Sequence, residues 1–209
     1  MKNLILDCSC GMSVYVVCDD KVFSRIDRTQ NKHTDEILNV VDELLSQAKI
    51  KIKDIDNICV CVGPGSFTGV RVAISIAKGL VLGTNAKVFT LSNFDIFKQN
   101  FSENYYLVLD GFSDFVYVRK FENGKIEDDC DDVEKFAESQ KQNNFKVYVT
   151  TEKTQNMLKK YEIQSKFIEN DTIIAFNEKI LKNDFTQLNR IYPVYLRASQ
   201  AEIERAKKL

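Results

Sequence analysis

Residues 63–71, Gly-Pro-Gly-Ser-Phe-Thr-Gly-Val-Arg, constrain this chain more than any other stretch. They join a short apolar run, Ile58-Cys59-Val60-Cys61-Val62, to a long one that reads as a helix from Ser66 or Phe67 to Leu82, ending near Gly83. Glycine lets another backbone or a ligand come close. Pro64 fixes its own φ and biases Gly63 towards extended conformations. Ser66 and Thr68 can cap the N–H groups that open the helix, and those same groups form a ready anion site. Two readings stay open: a turn that cradles phosphate, and a tight, capped strand-to-helix turn. A P-loop carries Lys after its last glycine, and none follows Gly69. A dinucleotide fingerprint needs glycine where Thr68 stands. Both departures favour the tight turn.

The 209 residues allow one compact unit or two small halves. A hydrophobic share of 44% and a charged share of 28% describe an ordinary globular protein. The net charge of −1 lacks the basic surplus of a chain that grips nucleic acid alone. Asp7 interrupts a short apolar start, which argues against a signal peptide. No run approaches 18 apolar residues, so the expected compartment is the cytoplasm, with no membrane contact. The six cysteines include two Cys-x-Cys pairs, Cys8/Cys10 and Cys59/Cys61, expected within strands. Zinc sites use longer spacings, and His33 is the single histidine, so buried reduced thiols and no metal site are expected.

Read in order, Leu4–Asp7, Ser13–Asp19 and Lys21–Ile26 are strands joined by short turns, hence antiparallel. Asp7, with Ser9 in the following turn, can hold a metal–phosphate complex or satisfy loop N–H groups. A helix is expected from Thr34 to Lys49, with Ile37, Val41, Leu44, Leu45 and Ala48 on one apolar stripe. Leu38 and Val40 fall outside the stripe and suggest a second covered surface. The helix after the glycine turn is apolar almost all round, interrupted by Arg71, Ser75 and Lys78. A helix of that kind is buried all round. One side must meet a sheet and the other a further helix or another chain. Ser75 and Gly79, small and four apart, would permit close helix contact. Lys87–Leu91 closes a β-β-β-α-β-α-β order over the first 92 residues.

The second half, residues 93–209, is less regular, and no internal repeat is visible. Strands are expected at Tyr105–Asp110, Phe115–Phe121 and Phe145–Thr150, with a hairpin turn at Asn123-Gly124. Helices are expected at 132–140, 152–161 and 173–182. The acidic run Glu127–Asp132 reads as a solvated loop leading into a helix. Residues 189–197 read as an extended tail and 198–209 as a charged helix.

The 63–71 segment is similar to the signature of the bacterial TsaB (YeaZ) family. Asp7-Cys8-Ser9 with Ser13-Val14, His33-Thr34 with Ile37-Leu38, and Tyr192-Pro193-Val194-Tyr195-Leu196-Arg197 resemble three further segments of that family, in the same order. Cys8 replaces the family's usual Thr. Phe112 and Phe115 stand where it often has Arg and Glu. The resemblance implies an α/β, actin-like ATPase or ribonuclease H-like fold of two βββαβα-type halves. It also implies a non-catalytic subunit that supports TsaD in threonylcarbamoyl transfer to the adenosine next to the tRNA anticodon.

In that family TsaB pairs with TsaD through its first two helices, and the ATPase TsaE joins them. The implied interface is Thr34, Leu38, Val41, Leu45, Val72, Ser75, Ile76 and Gly79. The turn Gly63, Pro64, Gly65, Ser66, Phe67, Thr68 and Gly69 would set the second helix, with Arg71 and Lys78 at its rim. Asp7 and Ser9 would be the remnant of a phosphate loop. No cofactor is expected on the chain alone. ATP or ADP would sit at an interface shared within the complex, tRNA would be met only through the complex, and the isolated chain would form a homodimer. The competing reading is an ATPase or small-molecule kinase of the same fold that uses Asp7 and Gly63–Gly69. It lacks a second glycine-rich phosphate loop, and a protease reading lacks any paired nucleophile and base.

Overall fold

A computed structural model describes residues 1–28, 36–97, 103–168 and 171–197. The chain forms two units. The first contains Met1–Asp95 together with Thr172–Val194, and the second Ile96–Asp171 and the described residues from Tyr195 on. The expected second half, 93–209, therefore has to be corrected, because residues 172–194 return to the first unit. They do so because that unit's sheet has a second apolar face to cover.

The first sheet takes the order β3-β2-β1-β4-β5. Its strands are β1 (Lys2–Asp7), β2 (Met12–Cys18), β3 (Lys21–Asp27), β4 (Asn57–Cys61) and β5 (Lys87–Leu91). The first three pair antiparallel, and β4 and β5 add in parallel through α1 (Ile37–Gln47) and α2 (Phe67–Leu82). Side chains alternate across a strand, and both faces here are apolar. Leu4, Leu6, Val14, Val16, Ile58, Val60 and Val88 form one core with α1 and α2. Ile5, Val17, Cys59, Phe89 and Leu91 form the other with Ala175 and Phe176 of α5 (Thr172–Leu181). Phe89 meets Phe176 edge to face at 5.5 Å. Asn3 and Asn57 sit opposite each other on β1 and β4, both buried, and the Asn57 amide donates to Asn3 Oδ1 at 2.9 Å. A one-residue slip would strand both amides in the core, so this pair fixes the register.

The second unit repeats the same plan, although no internal repeat is visible in the sequence. Its order is β10-β9-β6-β7-β8. The strands are β6 (Tyr105–Asp110), β7 (Phe115–Glu122), β8 (Lys125–Asp132), β9 (Lys146–Val149) and β10 (Lys166–Phe167), with α3 (Val133–Asn143) and α4 (Glu152–Lys159) as crossovers. The fold class is thus two βββαβα-type halves, as expected.

The acidic run is a correction. Glu127–Asp132 belongs to strand β8 rather than to a loop. Its partner strand supplies the charges that allow this, since Arg119 faces Asp128 and Lys120 faces Glu127. Arg119 donates twice to the Asp128 carboxylate, both times at 2.7 Å. The remaining acidic side chains sit on a sheet edge, where charge discourages edge-to-edge association. Asn123 and Gly124 both have positive φ, as a two-residue hairpin requires. Among the described residues, no helix is long and apolar enough to cross a membrane.

Candidate functional site

The turn between β4 and α2 is built against the loop that follows β1. Gly65 and Gly69 are required by that approach. A Cβ on Gly65 would lie 2.5 Å from the Ser9 carbonyl oxygen, and one on Gly69 would lie 2.0 Å from that of Cys8. The Ser66 N–H donates to Ser9 O at 2.7 Å, and Ser66 Oγ accepts from the Gly69 N–H at 3.2 Å, capping α2. Gly63 has φ +98° and its peptide to Pro64 is cis. Asn93, just past β5, closes the turn from the other side. Its N–H donates to Gly63 O at 2.8 Å, its amide donates to Pro64 O at 2.6 Å, and its Oδ1 accepts from Cys61 Sγ at 3.0 Å. The tail adds a further tie, as the Val194 N–H donates to Val62 O at 2.7 Å. Sequence reasoning missed Asn93. The cue was its position directly after the last strand of the unit, beside the turn.

This packing decides between the two readings of the turn. A phosphate cradle presents backbone N–H groups to an open space. Here the space beside Gly65 and Gly69 holds the carbonyls of Cys8 and Ser9, which would repel an anion. Asp7 is used locally as well: its Oδ1 accepts from the Ser9 N–H at 2.9 Å and from Ser9 Oγ at 2.6 Å. The residues present therefore do not fit a magnesium–nucleotide complex held by Asp7 and this turn.

The cysteines are placed differently from expectation. Cys8 and Cys10 lie in the loop after β1, not within a strand, while Cys59 and Cys61 lie in β4. Burial pushes the Cys8 thiol up to about 12, with the Asp7 charge adding to the effect. Burial raises Cys59 and Cys61 as well. All three are protonated at neutral pH and behave as small apolar side chains.

The two helices show which side remains outward. Val41 and Leu45, expected at an interface, are core residues, only 2% and 4% exposed. Val40 is buried too, so the apolar stripe of α1 is wider than expected and Leu38, 51% exposed, is left outside it. Thr34 and His33 lie outside the described residues. On α2 the expectation of burial all round is corrected. Val70, Ala73, Ile74 and Ala77 face the core, and Val72, Ile76, Leu80 and Val81 pack against its margin. Thr68, Arg71, Ser75, Gly79 and Leu82 are exposed, with Leu82 at 77%.

This outward stripe is low in relief. Ser75 Oγ folds back to Arg71 O at 2.8 Å, and a Cβ on Gly79 would meet nothing within 4 Å. The Arg71 guanidinium lies 3.8 Å over the Phe67 ring, and Lys78 Nζ lies 5.4 Å from that of Tyr192. A smooth strip of small residues edged by leucine suits close approach of another helix.

In the second unit Asp110 ends β6 as Asp7 ends β1. It accepts from Thr151 and Thr154 at the start of α4, and the Thr154 N–H is capped by Thr151 Oγ1 at 3.2 Å. Phe112 is exposed, and Arg197 of the tail lies 3.7 Å over the Phe115 ring. A cation thus sits on the ring at Phe115.

A family model described as TsaD, tRNA N6-adenosine threonylcarbamoyltransferase, matches residues 21–205. The chain is 31% identical over 111 residues to the tRNA threonylcarbamoyladenosine biosynthesis protein TsaB of Buchnera aphidicola subsp. Acyrthosiphon pisum, covering 50% of this chain and 49% of that protein. It is 34% identical over 93 residues to the protein of the same name from Escherichia coli K12, covering 44% and 40%. The chain spans about half the length, or less, of the curated relatives it matches. The solved structure of YeaZ from Pseudomonas aeruginosa superposes with a TM-score of 0.70 at 19% identity, over 93% of this chain and 99% of that one. At that identity the likeness establishes the shared fold.

Proposed function

We propose a subunit role for this chain, which belongs to the tRNA N6-adenosine threonylcarbamoyltransferase (TsaD) family and resembles its TsaB (YeaZ) members: it is the non-catalytic partner of a TsaD homologue in making threonylcarbamoyladenosine in tRNA. The observation that carries this reading is the outward stripe of α2, Arg71–Ser75–Gly79–Leu82, with Leu38 exposed on α1. A helix whose outer face is low in relief at Ser75 and Gly79, with Leu82 and the Leu38 of α1 exposed, gains by covering those leucines with a second chain. The single histidine of the chain cannot provide the His-x-x-x-His metal pair of a TsaD-type catalyst.

In this reading Leu38, Ser75, Gly79 and Leu82 meet the partner, Val72 and Ile76 line the margin, and the capped turn fixes the origin of α2. The isolated chain pairs with itself through the same face. A TsaE-type ATPase joins the assembly, and nucleotide and tRNA are held where subunits meet. The site of action is the cytoplasm. Packing around Asp7 and Gly65 favours this reading over an ATPase or kinase that acts alone. Depleting the chain in its own cell tests it. Threonylcarbamoyladenosine in purified tRNA, measured by nucleoside mass spectrometry, is expected to fall at least tenfold and to return when the gene is restored. An unchanged level contradicts the proposal.

A further inference from the structure

Strand β3 ends the first sheet, with no further strand beside it among the described residues. The other sheet edges are protected. Beyond β5, the Thr186 N–H donates to Val88 O at 2.8 Å. Strand β10 has only two residues, and β8 carries five acidic residues that would repel a second copy. Strand β3 is seven residues long, and its Val22 and Ile26 are 50% and 47% exposed.

The ladder fixes which backbone groups of β3 face outward. Antiparallel neighbours alternate between pairs that exchange hydrogen bonds and pairs that do not. The two-residue turn Asp19-Asp20 makes Cys18 and Lys21 an exchanging pair. The Asp19 N–H accordingly points the other way, to Met1 O at 3.1 Å. Phe23 with Val16, Arg25 with Val14 and Asp27 with Met12 follow in the same phase as Lys21. The N–H and C=O groups of Val22, Ser24 and Ile26 project from the open edge.

A second copy laid antiparallel on this edge must match projecting groups with projecting groups, so the two-fold axis passes through a residue rather than between two. Centred on Ser24, the pairing uses all seven residues of the strand. Lys21 then faces Asp27 of the copy, Val22 faces Ile26, and Phe23 faces Arg25, which suits a cation over a ring. Centring on Phe23 would set Lys21 against Arg25, and centring on Arg25 would set it against its own copy, both like-charge contacts. The charges on β3 thus complement each other in one register and repel in its neighbours. We propose that two copies of this chain pair antiparallel through β3 about Ser24, joining their first sheets into one. A single strand edge is a small interface of the weak class, so the pair forms at high concentration and dissociates on dilution. It does not rest on pairing through α2.

Sedimentation equilibrium tests this on the full chain carrying Gly79→Glu, which blocks the α2 face, at concentrations up to about 1 mM. A reversible monomer–dimer equilibrium is expected. Adding Ser24→Pro should weaken it at least about tenfold with an unchanged melting curve, because proline there removes an outward N–H and none from the ladder. Lys21→Glu, which keeps the backbone groups, should weaken it about threefold. In the wild-type chain, hydrogen exchange at the Val22, Ser24 and Ile26 amides should slow as concentration rises, while that at Phe23 and Arg25, already bonded to β2, should not. This readout is independent of α2. A monomer at every concentration overturns the proposal, and so does a dimer that Ser24→Pro and Lys21→Glu leave intact, or exchange at the three edge amides that ignores concentration.

Discussion

Gly69→Ala is expected to destabilise the first unit by about 3 kcal/mol or more, the scale of a core forced to accept an atom it has no room for. The added Cβ would lie 2.0 Å from Cys8 O, a backbone atom that cannot rotate away. Gly69 sits in the first turn of α2, and in an unobstructed helix the same change would gain up to about 1 kcal/mol. The contact must therefore outweigh a favourable propensity. Gly79→Ala in the same helix is the matched control, because its Cβ meets open space; it should be neutral or stabilising. Thermal melts followed by circular dichroism should show Gly69→Ala lowered by at least about 10 °C and Gly79→Ala unchanged or raised. If both variants melt with the wild type, the close approach of the turn to the Cys8–Ser9 loop is wrong.

Gly79→Glu is expected to abolish partner binding while leaving the fold intact, with affinity falling at least about 30-fold, as for the loss of a central contact. The charge would sit in the middle of the outward stripe, where pairing would bury it. No neighbour opposes the new side chain in the isolated chain. Ile76→Glu is a less clean test, since Ile76 packs against the core margin and its loss would also cost stability. The check is affinity for the immobilised TsaD homologue beside a melting curve. Unchanged affinity with an unchanged melt would mean that α2 points away from the partner.

The first unit was largely legible because its signals are local. Alternating apolar residues, short turns and the glycine signature each name an element, and the strand order follows from hairpins and crossovers. Which residues face outward was not legible. On a helix as apolar as α2, no pattern says which half meets the sheet, and on α1 the stripe separated Val41 and Leu45 from Leu38 but did not show that Val40, read with Leu38 as off the stripe, is buried. The second unit was harder still. Strand β8 carries five acidic residues and a cysteine in a row and holds its conformation through Arg119 and Lys120 across the sheet, a partner that lies outside any local window. The return of residues 172–194 to cover Phe89 and Leu91 is likewise a tertiary demand without a local signature.

Size-exclusion chromatography with light scattering, on this chain alone and mixed with the TsaD homologue from the same cell, tests the central claim most directly. The account predicts a homodimer that exchanges for a one-to-one complex, with no ATP turnover by the chain alone. A monomer indifferent to the TsaD homologue, hydrolysing ATP in a way that Asp7→Ala removes, would contradict it.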